Sequence, residues 1–323
     1  MNVLLTGGTG FVGANLARRL LADHHDVTLL TRPQAHRWRL QGIEDSLHLC
    51  AGDVADADAV QRAMALARPQ WVFHLAAHGA YSFQTDYMAM VSTNVLGTAN
   101  LIAAASRAHC EALVLTGSSA EYGICDRPPD EAHPPVPTNH YAATKAAATW
   151  LAQLSGEDRS SCPVVSLRLY SVYGPWEDPR RLMPTLLSHA LDGDWPPLAG
   201  RDTLRDFVFC DDVCDAIIAT AQQAPLNRGA VYNVGSGVGT TLEQLVRIVA
   251  EVLDVRAEPQ FGSHPGRSWD ARMSWVSNPR RIEAALGWSP ATPLATGVSR
   301  FAAWLASDAE RIGAGGAVAS PNR

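Results

Sequence analysis

Short apolar runs alternate with longer amphipathic stretches over the first half of the chain. VLLTG (3–7), DVTLL (26–30), LHLCAGD (47–53), WVFHLAA (71–77) and ALVLTGS (112–118) read as buried strands. ANLARRLLADH (14–24), DAVQRAMALA (58–67), NVLGTANLIAAASRA (94–108) and ATKAAATWLAQLSG (143–156) read as helices. Strand and helix in alternation predict βαβ units and a parallel sheet, so the fold class is α/β. PVVSLRLYSVYG (163–174) predicts a sixth strand entering a turn. The alternation breaks at GPWEDPRRLMP (174–184), where proline and irregular segments take over. RDFVFCDDVCDAIIATA and AVYNVGS predict returns to the sheet, while LEQLVRIVAEVL and PRRIEAALGW predict helices of a smaller lobe. The expected division is a sheet domain over 1–175 with returns at about 205–235. A lobe over 176–204 and 236–312 and a flexible tail at 313–323 complete it.

Composition narrows the function. Apolar residues make up 47% and charged residues 18% of 323, as expected of a soluble globular protein. A net charge of −6 without an arginine-rich run argues against a nucleic-acid surface. MNVLLTGGTG reads as a buried strand entering a glycine turn, without the basic segment and long apolar run of a signal peptide. No uninterrupted apolar stretch of about 18 residues is present, so no membrane span is expected. The six cysteines form no CxxC pair. Cys210 and Cys214 lie four apart without a nearby ligand partner, so no metal is expected and reduced thiols of a cytoplasmic protein are the better reading.

TGGTGFVGANL places Gly7, Gly10 and Gly13 directly after the first strand and at the start of the first helix. That position suits a dinucleotide pyrophosphate, which needs close backbone approach and helix N–H groups aimed at it. Phe11 and Val12 fall between the glycines. An NAD site usually has an acid at the end of the second strand, but this one ends in Thr31 and Arg32, with Asp26 at the wrong end. Arg32, backed by Arg37 or Arg39, suits a 2′-phosphate, so NADP is slightly favoured over NAD. Asp53 and Val54 follow the third strand, where a carboxylate reaches an adenine edge. Leu75, Ala76 and Ala77 end the fourth strand, where small residues let a cofactor pass.

HYAATKAAATW carries Tyr141 and Lys145, and Lys145 is the only lysine in the chain. The two are i and i+4 on a predicted helix and share a face. A nearby ammonium favours a phenolate, so the pair is expected to exchange protons near neutral pH. Lysine's compact ammonium also suits a ribose hydroxyl better than a planar guanidinium does. LTGSSAEYG follows the fifth strand, at the carboxyl edge where sites form in such sheets, and offers Ser118 or Ser119 to hold the reacting oxygen.

GGTGFVG, HLAA, GSSAEYG, YAATK, RLYSVYGP, RDFVFCDDV and LGWSP together resemble the extended short-chain dehydrogenase/reductases, the epimerases and dehydratases of nucleotide sugars. The resemblance spans nearly the whole chain. It implies a Rossmann-like doubly wound parallel sheet with a smaller C-terminal lobe over the sugar. Counting four back from Tyr122 of the Tyr-Gly pair, it makes Ser118 catalytic beside Tyr141 and Lys145. It implies that Asn94, Tyr170 and Val172 join the cofactor site. It places Arg205 and Arg267 on a nucleotide diphosphate, and His78, Tyr81, Phe83, Ser119 and Ser171 near the sugar. It further implies a homodimer formed through the helices of 90–108 and 141–154.

Two departures bear on the reaction. The family's 4,6-dehydratases carry an acid directly after the catalytic hydroxyl and its neighbour; here Ser119 and Ala120 stand there and Glu121 is displaced by one. Ser171 replaces the asparagine common in RLFNVYGP. Three functions remain open. A 4-ketoreductase using NAD(P)H is slightly preferred, a 4-epimerase with bound NAD is the alternative, and a non-catalytic dinucleotide sensor would not need the Tyr-Lys-Ser set.

Overall fold

The computed structural model describes residues 1–263 and 275–307. Seven parallel strands form the central sheet in the order β10-β6-β5-β4-β1-β2-β3. They are β1 (Asn2–Thr6), β2 (Asp26–Thr31), β3 (His48–Ala51), β4 (Trp71–His74), β5 (Ala112–Ser118), β6 (Val164–Leu169) and β10 (Val231–Val234). Their apolar runs are continuous because both faces are covered. One face carries α1 (Phe11–Ala22), α7 (Cys210–Gln223) and α9 (Arg280–Leu286), and the other carries α2 (Ala57–Ala67), α4 (Gly97–Arg107) and α5 (His140–Glu157). Leu4 and Leu5, both 0% exposed, point into the two opposite layers. Each such leucine contributes roughly 2 kcal/mol by burial.

The chain reverses direction across the sheet between β1 and β4, so loops at the carboxyl ends of these strands diverge and leave a crevice. The site described below is built there.

The structure differs from the sequence reading in four places. The sixth strand ends at Leu169, and Ser171–Tyr173 forms β7, paired with β9 (Phe207–Phe209) outside the main sheet. The Ser171 N–H leaves the sheet ladder for the Asp206 carbonyl at 3.0 Å, which turns the chain away. The returning segment 207–209 therefore does not rejoin the sheet; only β10 does. The helix PRRIEAALGW is not part of the lobe, because Ile282, Leu286 and Trp288 bury into the sheet domain's core. The helix expected over 94–108 starts earlier, at Tyr87, and runs through α3 (Tyr87–Met90), a π-helical turn (Val91–Leu96) and α4. That continuous helix is long and apolar enough to cross a membrane, which the sequence reading did not anticipate. Much of its apolar surface is used against α2 and α5.

The lobe is built from α6 (Leu182–Leu191), α8 (Leu242–Leu253) and α10 (Leu294–Ser307) with the small pairs β7–β9 and β8 (Leu204–Arg205)–β11 (Thr240–Thr241). Tyr173, Leu186, Phe209, Leu245 and Phe301 form its core. Asp206 ties the lobe's base together. Its buried carboxylate accepts from the Ser236, Gly237 and Ser277 amides and from the Ser236 and Ser277 hydroxyls.

Candidate active site

The turn between β1 and α1 is shaped by close approach. Gly7 has φ +74°, and a Cβ there would lie 2.4 Å from the Ala76 nitrogen. A Cβ on Gly13 would lie 2.2 Å from the Gly7 carbonyl oxygen. Gly10 caps α1 with extended backbone and no side-chain cap. The first-turn N–H groups of Phe11, Val12 and Gly13 therefore have no intrahelical acceptor and face the crevice as an anion cradle. Leu75 and Ala76 are half-buried against this turn and Ala77 is exposed beside it.

At the end of β2, Thr31 is buried and Arg32 is exposed. The Arg32 charge reaches His78, whose imidazole is held neutral by burial and by that charge. The arginines expected behind Arg32 are committed elsewhere. Arg37 pairs with Glu44 at 3.3 Å, and the buried Arg39 donates to the Trp176 carbonyl at 2.7 Å. Arg39 is thereby removed as a phosphate ligand. Asp53 spends Oδ1 on the Ala55 amide at 2.9 Å, a turn that presents its other oxygen, while Val54 is buried in the core.

Tyr141 sits in the first turn of α5, which Asn139 starts by accepting from the Ala142 amide at 2.9 Å. Ser118 ends β5 opposite it. The Ser118 oxygen accepts from the Ala120 amide at 3.2 Å, which leaves its O–H free to donate. Lys145, one turn along and 3% exposed, donates to the Thr116 carbonyl. The sequence expectation that the ammonium lowers the phenol pKa needs correction. Burial raises the Tyr141 phenol, and what pulls it back is a hydrogen bond from Ser118 and the charge of Arg181. Lys145 is itself pushed down to about 8 by burial, with Glu121 opposing.

Glu121 does not face this site. It is 0% exposed and accepts from Arg168 Nε at 2.8 Å, the Ser118 amide at 2.8 Å and Thr149 at 3.1 Å. Its role is structural: it closes a capping box with Ser118 and so aims the Ser118 backbone.

Asn94 and Tyr170, both expected at the cofactor, are buried. Asn94 is 1% exposed and hydrogen-bonded inside the protein. Its Oδ1 accepts from the His78 amide at 2.8 Å, and its Nδ2 donates to the His78 carbonyl and to Thr144, both at 2.9 Å. Both Nδ2 donors are thus spent inside the protein, and Oδ1 keeps one lone pair. Tyr170 is buried with its hydroxyl unpartnered, and burial with Tyr122, Asp206 and Cys125 nearby pushes its pKa well up. Its backbone N–H donates to the Val234 carbonyl at 3.0 Å, and its carbonyl accepts from the Val172 amide at 2.9 Å. Val172 is half-buried on β7.

On the sugar side, His78, Tyr81, Ser119 and Ser171 are all half-buried around the crevice mouth. Tyr81 stacks on Phe83 at 5.3 Å, and Arg181 covers the Tyr81 ring at 4.7 Å while donating to the Ala80 carbonyl. Arg205, half-buried, donates to its neighbour Leu204's carbonyl and lies 5.5 Å from the Trp275 ring. Arg267 lies outside the described residues. Cys210 and Cys214 are buried in α7, and among the described residues no three His, Cys, Asp or Glu side chains gather as a metal site.

Sequence reasoning missed Thr116, Thr144 and Arg181. Thr116 acts through its carbonyl, which no side-chain pattern reveals. Thr144 lies inside the quoted YAATK and was passed over as spacer. Arg181 stood in a segment read only as irregular.

The model of the NAD dependent epimerase/dehydratase family matches residues 3–235. The UDP-glucose 4-epimerase of Mycolicibacterium smegmatis is 34% identical over 317 residues, covering 93% of this chain and 97% of that protein. The Thermus thermophilus UDP-glucose 4-epimerase, solved in complex with NAD, superposes with a TM-score of 0.81 at 29% identity, over 95% of this chain and 99% of that one. Bordetella bronchiseptica WbmG, in complex with NAD and UDP, gives 0.82 at 28% identity over 95% of each chain. The matched segment runs from the glycine turn through Ser118, Tyr141 and Lys145 to the end of β10, and the chain belongs to the NAD-dependent epimerase/dehydratase family of enzymes.

Proposed function

We propose that this enzyme is a nucleotide-sugar 4-epimerase that works on retained NAD, with UDP-glucose as the first substrate to try. The observation that carries the reading is the Ser118–Tyr141–Lys145 arrangement at the mouth of the glycine turn, with Glu121 locked away from it. Elimination of water needs an additional acid and base at the sugar, and Glu121 is spent on Arg168. The relatives quoted above support an epimerase over the ketoreductase that the sequence slightly preferred.

The glycine turn fits a dinucleotide: close packing at Gly7 and Gly13 leaves the α1 amides open to a pyrophosphate. Bound NAD would supply reversible hydride transfer at the sugar carbon, which inversion there requires. Tyr141 removes the hydroxyl proton as the hydride leaves and gives it back on return. On sugar binding the Ser118 O–H, which meets the Tyr141 phenol in the free protein, turns to the same oxygen and holds it through both half-reactions. Lys145 keeps two N–H donors beyond its bond to Thr116, enough for a ribose hydroxyl.

A second reading has one observation behind it. Arg32 is exposed and makes no hydrogen bond or ion pair through its side chain among the described residues. A free guanidinium at the end of β2 suits a 2′-phosphate, hence NADPH and a 4-ketoreductase. Denaturing the purified protein and weighing the released nucleotide by mass spectrometry separates the two. Stoichiometric NAD supports the epimerase; an empty protein that binds NADPH more tightly than NADH supports the reductase.

A homodimer is part of the same proposal. Tyr87, Met88, Val91 and Leu96 on the α3–α4 helix and Trp150 and Leu154 on α5 are large, apolar and exposed, and the two helices pack side by side. Apolar side chains exposed together on neighbouring helices are what a protein–protein surface presents. Sedimentation as a monomer at all concentrations would remove the dimer.

A further inference from the structure

His74 ends β4 as an imidazole in an otherwise apolar strand, 1% exposed. Its two ring nitrogens meet two threonines. Thr6 Oγ1 lies 2.7 Å from Nδ1, and Thr98 Oγ1 lies 3.1 Å from Nε2. The protons along this line can be placed. Thr98 donates its single O–H to the Asn94 carbonyl at 2.6 Å, so it can only accept from His74, and Nε2 carries the proton. Nδ1 is then an acceptor, and Thr6 donates to it while accepting from the Ala76 amide at 3.3 Å. Burial and the Lys145 charge hold the ring neutral, with a pKa of about 3, so this tautomer persists over the working range.

The line continues to the catalytic helix. The Asn94 carbonyl sits in the π-helical turn, and the Asn94 side chain donates to Thr144 at 2.9 Å. Thr144 donates in turn to the Tyr141 carbonyl at 2.9 Å. At its other end the line starts at Thr6, directly before Gly7. A second, backbone route leaves the same residue. Thr116 donates to the His74 carbonyl at 3.4 Å, and the Thr116 carbonyl holds Lys145. Each hydroxyl in the line both donates and accepts, so no member can turn without breaking two bonds.

We propose that His74 is a positioning residue which, as the Nε2–H tautomer, fixes the catalytic helix relative to the cofactor turn through Thr98, Asn94 and Thr144. It touches neither substrate nor cofactor. Its effect reaches the chemistry as the placement of the Tyr141 phenol against Ser118. Because the Ser118 hydrogen bond is what draws the phenol down, a loosened helix raises the Tyr141 midpoint.

The titration reads Tyr141 directly and needs no substrate, while kcat and KM are read with the nucleotide sugar that the parent enzyme turns over. The phenol titration is followed at 295 nm as the difference from the same protein carrying Tyr141→Phe. Glutamine places an N–H near the imidazole Nε2 and asparagine does not reach, so His74→Gln and His74→Asn split the two sides of the ring. The account expects His74→Asn to raise the midpoint by about half a unit or more and to lower kcat roughly tenfold, with KM within about twofold. His74→Gln restores both. Thr98→Val reproduces the His74→Asn effect without altering shape, Thr98→Ser restores it, and His74→Asn with Thr98→Val is no worse than either alone. If His74→Asn does not fold, the Thr98 pair decides alone by the same readouts. An unmoved midpoint and kcat in Thr98→Val, or a Gln or Ser variant as impaired as Asn or Val, overturns the proposal. A lowered melting temperature with both readouts unchanged overturns it as well.

Discussion

Glu121 and Arg168 form an ion pair in the interior, Nε to Oε2 at 2.8 Å, with side chains 0% and 3% exposed. The Arg168 guanidinium also lies 4.4 Å over the Tyr122 ring. A carboxylate so held cannot serve as a catalytic acid at the sugar. Glu121→Gln should therefore leave the type of reaction unchanged. It should destabilise the fold by about 3 kcal/mol, because Arg168 is left buried without its counter-charge. Urea unfolding reads the stability, and product analysis reads the reaction.

Tyr141→Phe removes the proton acceptor and leaves the ring's packing. The expected loss in kcat is about 1,000-fold, with nucleotide-sugar affinity within roughly threefold of the parent. Ser118→Ala should cost about 100-fold, since one donor to the reacting oxygen is lost. Stopped assays and equilibrium titration with the nucleotide sugar check both. Full retention of turnover in Tyr141→Phe would leave no catalytic role for the residue.

Lys145 makes a stability prediction with an unusual sign. Its folded pKa of about 8 lies below the ordinary lysine value of 10.5, so burial disfavours the charged form. The unfolded chain binds more protons between those values, and stability rises with pH across that window. The cost is in full force below pH 8 and fades towards pH 10.5. Lys145→Met should abolish activity. At pH 7 it should stabilise the protein by about 2 kcal/mol, after subtracting the lost bond to Thr116. The gain should shrink as pH rises from 8 to 10.5 in parallel denaturation curves.

Arg32 separates the two coenzyme readings. With NAD as the working cofactor, Arg32→Ala should change NAD affinity by less than about threefold, because an exposed charge without a phosphate partner contributes little. Any affinity for NADPH should fall by about tenfold or more. Isothermal titration with both coenzymes checks this.

Much of the sheet domain was legible because its strands are uninterrupted apolar runs and its glycine turn sits between strand and helix. Ser118, Tyr141 and Lys145 stood out because the chemistry proposed for them needs side chains at a set spacing, and the structure brings Ser118 onto the Tyr141 phenol. Other features turned on backbone groups, which carry no sequence signature. The sixth strand was read too long because the Ser171 amide chooses the Asp206 carbonyl over the ladder. The bonds that Asn94 makes to the His78 backbone and to Thr144 join groups distant in sequence. The phenol expectation failed for a related reason. Spacing brings Lys145 to the face of Tyr141, but it cannot show that a carbonyl on β5 holds the ammonium.

The most direct test of the central claim is to incubate the purified enzyme, without added coenzyme, with a nucleotide hexose deuterated at C4 and to follow C4 by NMR. The account predicts inversion at C4 to an equilibrium mixture, with the deuterium retained and the bound coenzyme unchanged at the end. Loss of the C6 oxygen as water, or conversion only when NADPH is supplied and consumed, would contradict it.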